Sequence, residues 1–149
     1  MPIGASEDPL GSFNFFVEVS PWLSGAFREC AGLGSETETA EYKASGPGGQ
    51  FIIQKVPGNM KWSNINLKRG ITSSMDAWKW RKEVEEGKVD SARANGSIIM
   101  YNQTGAEVAR WNFTRGWPSK ISGPSMNANG TEIGIEELEI VHEGLIRDH

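Results

Sequence analysis

Cysteine is almost missing from this sequence: Cys30 stands alone, so no disulfide can close within the chain, and neither a thiolate zinc site nor a redox pair is available. Histidine is nearly as scarce, with His142 and His149 only, which makes a multi-histidine metal centre remote; no cofactor is expected. Long apolar runs are also missing. No stretch approaches the roughly 20 residues of a membrane span, and 1–11 lacks the basic start and apolar core of a secretory signal. Nor does one sign of charge dominate. Lys and Arg number 15 against 19 Asp and Glu, and a net charge of -4 gives no electrostatic reason to expect nucleic acid or an anionic membrane as partner. These absences together predict a protein made and folded in a reducing cytoplasm, with no membrane binding of its own.

Glycine, by contrast, is plentiful. Its 18 copies in 149 residues point to many turns and bulges in a single β-rich domain spanning 1–149. Four Asn-x-Ser/Thr triplets, at Asn95, Asn102, Asn112 and Asn129, are read as turn and strand residues. Phe13, Phe15, Val17 and Val19 alternate with polar neighbours, the period of a half-buried strand, and Pro21 stops it. A second extended run covers Phe27 to Leu33, with Cys30 as a small packed side chain.

The segment 35–56 stands apart. Ser35 to Lys43 has strand-forming threonines but almost no apolar face; Gly46, Pro47, Gly48 and Gly49 signal a reversal; Phe51 to Val56 is a more apolar extended run. A protruding hairpin or long loop is expected, either mobile in solvent or ordered by a neighbouring subunit. Pro57, Gly58 and Asn59 are read as a turn, after which Met60 to Arg69 resumes a strand with Ile65 and Leu67 on one face.

One helix follows, with Ser73 as cap, Asp76 in its first turn and Gly87 as its stop. Met75 and Trp78 lie on one side of it and Ala77, Trp80 and Val84 on nearly the opposite one, so the helix wants two packing partners. Lys79 with Glu83, Arg81 with Glu85 and Lys82 with Glu86 are spaced for weak i to i+4 pairs. Beyond it, Ser97 to Tyr101 and Glu107 to Trp117 read as strands, with Ala109, Trp111, Phe113 and Trp117 on one face, and Pro118 is expected to end the second or to lie at an edge. Ile133 to Ile146 reads as a last strand with a solvated acidic side. The pattern is mainly β: two packed antiparallel sheets, sandwich or barrel-like, with one flanking α-helix.

Catalytic constellations do not emerge. Glu136, Glu137 and Glu139 form the densest carboxylate cluster, but Glu137 and Glu139 are adjacent same-side positions on an ordinary solvated strand. His142 is expected on a strand surface. Gly46 to Gly49 lacks the Lys-Ser/Thr ending of a phosphate loop, and no Ser-His-Asp set can be assigned. Of the six tryptophans, Trp111 and Trp117 fall in phase with Phe113 as core, whereas Trp22, Trp62, Trp78 and Trp80 leave open a ligand surface or a protein interface.

The order of motifs resembles the tail tube (inner tube) protein family of contractile-tailed phages and extracellular contractile injection systems. It runs through Phe13-Asn14-Phe15-Phe16-Val17, Phe27 to Gly34, Pro57-Gly58, Leu67-Lys68-Arg69-Gly70 and the tryptophans of the helix. It ends with Gly116-Trp117-Pro118, Lys120, Gly123-Pro124, Ile135-Glu136, Leu138-Glu139 and His142-Glu143-Gly144-Leu145. The resemblance implies no enzymatic activity. It implies a structural subunit whose copies close into hexameric rings that stack as a hollow tube inside a contractile sheath, a conduit for DNA or protein cargo. Its partners would be itself, the sheath, baseplate and tube-terminating proteins and the cargo, and its place a phage tail or injection particle. On that reading self-assembly falls to Glu36, Glu38, Tyr42, Gly46, Pro47, Gly48, Gly49 and Phe51 in the arm and to Trp78 and Trp80 in the helix. Glu137 and Glu139, or Glu36 and Glu38, are alternative lumen residues. The runner-up from another class is a monomeric β-sandwich that binds carbohydrate through its tryptophans.

Overall fold

A computed structural model describes residues 14–124 and 134–149. Its strands are β1 Asn14–Val19, β2 Leu23–Phe27, β3 Glu29–Ala31, β4 Ser35–Ser45, β5 Phe51–Trp62, β6 Ile65–Gly70, β7 Ala94–Tyr101, β8 Glu107–Ser122, β9 Ile135–Val141 and β10 Gly144–Arg147. Two helices, α1 Asp76–Glu85 and the single turn α2 Val89–Ala92, lie between β6 and β7. The fold is the expected mainly β, antiparallel, two-layered one with a flanking helix.

The body is one path in the order β2-β1-β7-β8-β9-β6-β3, with β10 also on β8. Its two ends, β2 and β3, are consecutive pieces of one segment broken at Arg28, whose N–H donates to the carbonyl of Lys68 at 2.9 Å. The path therefore curls back on itself as a barrel. The corner between its layers is β8, whose Glu107 to Gly116 stretch pairs with β7 and whose Trp117 to Ser122 stretch pairs with β9. Pro118 does not end the strand. It is fully buried opposite Ile140, beside a register shift, at the point where β8 has left β7 and so needs no donor on that flank.

Alternation sets the core as expected in β1, where Val17 and Val19 are buried and Glu18 is exposed; Phe13 lies outside the described residues. Sequence reading missed β2, which buries Leu23 and Phe27 around Gly25, because its middle is too polar and short to show a period. Ile65, Leu67, Ile98, Phe113, Leu138 and Ile140 complete the centre. Phe113 lies so close over Gly96 and Gly116 that a Cβ added at either would meet its ring at 2.4 Å. Trp111 and Trp117 are half-buried against this core.

Helix α1 starts later than expected. Ser73 does not cap it; Met75 holds that position, Ser74 Oγ accepts the Asp76 N–H at 3.5 Å, and Asp76 Oδ1 accepts the Ala77 N–H at 2.6 Å. Gly87 stops the helix with φ 82°. Ala77 and Trp80 are buried and Val84 half-buried against the barrel, and the Trp80 Nε1–H donates to the Ala92 carbonyl at 2.7 Å, which ties in α2. Of the three expected charge pairs, Arg81–Glu85 closes, at 3.8 Å.

The expected last strand is two, and its start at Ile133 lies outside the described residues. The break at His142 and Glu143 corrects the surface placement of His142. Its ring is half-buried near Trp62 and Phe113, Nδ1 accepts the Gly144 N–H at 3.2 Å, and Nε2 donates to the Ser63 carbonyl at 3.1 Å.

Candidate assembly interface

The 35–62 segment forms a hairpin of its own, β4 against β5, that belongs to no other sheet. Its register runs from Ser35 opposite Trp62 to Ser45 opposite Phe51. Gly46, Pro47, Gly48 and Gly49 make the tip: Pro47–Gly49 is a 3₁₀ turn, Gly48 and Gly49 hold φ of 79° and 80°, and the Gly46 N–H donates to Gln50 at 2.6 Å. Pro57, Gly58 and Asn59 are not a turn. β5 runs straight through them: Gly58 and Asn59 form a bulge opposite Glu38, between the Thr37–Met60 and Thr39–Pro57 pairs, and Pro57 borders it, a place where a strand tolerates proline.

Directly opposed residues of an antiparallel pair share a face. Ala40, Tyr42 and Ala44 therefore stand with Val56, Gln54 and Ile52, an uncharged face that the polar reading of β4 missed. Its signal was present in the spacing of Ala40, Tyr42 and Ala44 but diluted by glutamates and threonines. The other face carries Glu41 and Lys55, an exposed pair at 3.9 Å, together with Phe51 and Ile53. Tyr42 is 51% exposed and Phe51 75%. Glu36 and Glu38 lie nearer the base, both exposed. The base is tied down by the Ser63 N–H to the Gly34 carbonyl at 3.1 Å and by His142 on Ser63.

The tryptophans of α1 separate. Trp80 is fully buried in its own subunit, so its assignment to self-assembly is withdrawn. Trp78 is exposed on the opposite side, beside the 58%-exposed Met75. Its Nε1–H donates to Glu136 Oε1, and Glu136 Oε2 takes the Arg69 Nε at 2.8 Å. Arg69 Nη2 reaches Asp76 Oδ1 at 2.6 Å, and its guanidinium lies 4.9 Å from the Phe27 ring centroid. Arg69 and Glu136 are both nearly fully buried. Burial works against the charge of Asp76, but its hydrogen bonds from Arg69 and the Ala77 N–H outweigh it and hold the carboxyl below the usual range. This cluster joins β6, β9 and the start of α1, and it places Trp78.

Glu137 and Glu139 lie on the other face of β9, Glu137 3.6 Å from Lys68 and Glu139 accepting the Asn64 amide at 2.8 Å. Cys30 is half-buried, and burial pushes its thiol up to about 12, consistent with a packed side chain. Among the described residues no group of three or more His, Cys, Asp or Glu is arranged to hold a metal ion, and no helix is long and apolar enough to cross a membrane.

Among solved structures, the chain resembles a component of the sheath-tube complex of the PVC extracellular contractile injection system, with 23% identity over 97% of this chain and 94% of that one and a TM-score of 0.76. A component of the PVC sheath/tube terminator gives 22% identity, coverage of 95% and 97%, and a TM-score of 0.77. Hcp1 from Flavobacterium johnsoniae gives 14%, 91%, 94% and 0.56 in the same measures. At these identities the likeness is one of fold. No curated protein sequence matches. Residues 11–146 match the family of the T4-like virus tail tube protein gp19, nearly the whole length of the sequence, and the chain therefore belongs to that tail tube family.

Proposed function

We propose that this tail tube protein closes into hexameric rings that stack as the hollow inner tube of a contractile phage tail or contractile injection particle, a conduit for DNA or protein cargo. The observation that carries the reading is the β4–β5 hairpin, whose uncharged face and exposed Tyr42, Phe51, Ile52 and Ile53 find no cover on their own barrel. Identical copies arranged about an axis supply that cover. The hairpin, with Glu36, Glu38, Tyr42, Phe51 and the Gly46 to Gly49 tip, reaches the adjacent ring, and Trp78 contributes from α1.

The subunit acts without catalysis. Glu136 is engaged by Arg69 and Trp78, and Glu137 and Glu139 are surface residues with ordinary partners. The sheath, baseplate and tube-terminating proteins are its partners in the particle, and synthesis in the bacterial cytoplasm precedes assembly. A carbohydrate platform needs neighbouring exposed rings, yet among the six tryptophans Trp78 is the exposed one, at 36%.

Electron microscopy and sedimentation velocity of the purified protein test the proposal. Rings or tubes that grow with concentration are expected; a particle that stays monomeric at high concentration refutes it. Deleting Gly46 to Gly49 is expected to leave a folded subunit that makes no long tubes, and tubes of normal length would overturn the role of the tip.

A further inference from the structure

The solvent side of α1 has a graded character. At 100° per residue, Met75, Trp78, Lys79 and Lys82 fall within about a 100° arc, opposite the buried Ala77 and Trp80. Its first turn is apolar and its middle basic, and Glu86, which ends the stripe, is taken by Lys88 at 3.7 Å. Lys79 and Lys82 are exposed and make no ion pair among the described residues. Trp78 is not a loose side chain here, because Glu136 holds its indole and Arg69 holds Glu136.

The hairpin face that carries Ala40, Tyr42 and Ala44 is graded the same way with the opposite sign. Tyr42, Ala44 and Ile52 lie toward the tip, and Glu38 and Glu36 continue that face toward the base. Lys61 stands opposite Glu36, whereas Glu38 sits at the bulge without a single ladder partner, so Glu38 is the unbalanced acid. From Met75 to Lys82 the helix rises about 10 Å. From Tyr42 to Glu38 the strand spans about 14 Å, a difference that a lysine side chain bridges.

Resting on the tube reading, we infer that the solvent-facing stripe of α1 is the seat for the β4–β5 hairpin of a second copy, with Tyr42 and Ile52 on Met75 and Trp78 and with Glu38 and Glu36 toward Lys79 and Lys82. The complementarity of both polarity and charge selects a second copy as the occupant. Because the two surfaces differ, the contact is heterologous, and such contacts propagate into rings or filaments. The buried Arg69–Glu136 pair then has a task beyond stability: it fixes the indole that the neighbouring hairpin meets.

A charge exchange tests this. Glu36→Lys/Glu38→Lys and Lys79→Glu/Lys82→Glu are each expected to raise the concentration at which tubes appear by about tenfold, equivalent to about 1.4 kcal/mol, with circular dichroism and thermal midpoint unchanged. Combining the four substitutions restores assembly toward the natural level. If wild-type protein forms tubes and either double variant does so equally well, or the combination is as defective as its parts, the contact is overturned while the tube reading stands. Loss of binding to a separately added partner without any effect on tubes overturns it as well. A strictly monomeric wild type overturns both.

Discussion

Along β6 every second residue is buried, Ile65, Leu67 and Arg69, while along the eleven residues of β4 Ala44 alone is other than exposed. Both strands sit in regular antiparallel ladders, β6 with β9 and β4 with β5. The difference lies in what covers their faces. A backbone hydrogen bond contributes only about 0.5–1.5 kcal/mol net, since it replaces bonds to water, and apolar burial supplies most of the rest. The barrel satisfies its own apolar surface; the hairpin, an isolated two-stranded ribbon, does not, and such ribbons are marginal in water. On the proposed tube reading, one region folds alone and the other is completed by assembly.

The comparison breaks most sharply at Arg69. Arg69→Ala strips the buried Glu136 and its neighbour Asp76 of their cation, and a loss of about 3–5 kcal/mol of subunit stability is expected from an uncompensated buried charge. Urea unfolding checks it, and a loss below 1 kcal/mol would show that water reaches the cluster. Gly96→Ala drives a methyl into Phe113 and Val19, whose atoms lie at 2.4 and 2.7 Å from its position. A loss of about 1–3 kcal/mol is expected from overpacking, read as a lower thermal midpoint.

Acid should find the same cluster. Asp76 has its carboxyl depressed in the folded state, so its contribution is present above the ordinary carboxylate range and is lost as pH falls through that lower folded value. A stability–pH curve is expected to fall below about pH 4, and Asp76→Asn to flatten part of that fall; an unchanged acid limb would remove Asp76 from the account. The smallest effect on the lone subunit belongs to the hairpin. Tyr42→Ser with Ile52→Ser is expected to change its unfolding free energy by no more than about 0.5 kcal/mol, as exposed sites do, while sedimentation records weakened assembly. A large loss in the monomer would mean that the hairpin folds back on its own barrel.

Much of the barrel was legible because burial imprints a period of two. Val17 with Val19, Ile65 with Leu67, and Leu138 with Ile140 each announce a half-buried strand. The breakers misled. Pro57 and Pro118 read as breaks, but each falls beside a register shift, where a strand tolerates proline, and only the paired strands reveal that. Glu136 also sits in sequence within a cluster of three acids. Parity puts it on the inner face with Leu138 and Ile140, and the cation that makes this tolerable is Arg69, distant in sequence and adjacent in space.

The sequence by itself determined the class of structure: an antiparallel β domain with a two-sided helix and a polar arm that its own core does not need, because periodicity and turn residues act locally. Tertiary structure alone decided which side of the helix is spent. Trp80 is consumed inside and Trp78 is held outward by Glu136, since that choice depends on where β6 and β9 place a buried ion pair beneath the start of α1. It likewise decided that Ala40, Tyr42 and Ala44 share a face with Ile52 and Val56, because cross-strand register is a property of two strands and neither strand carries it alone.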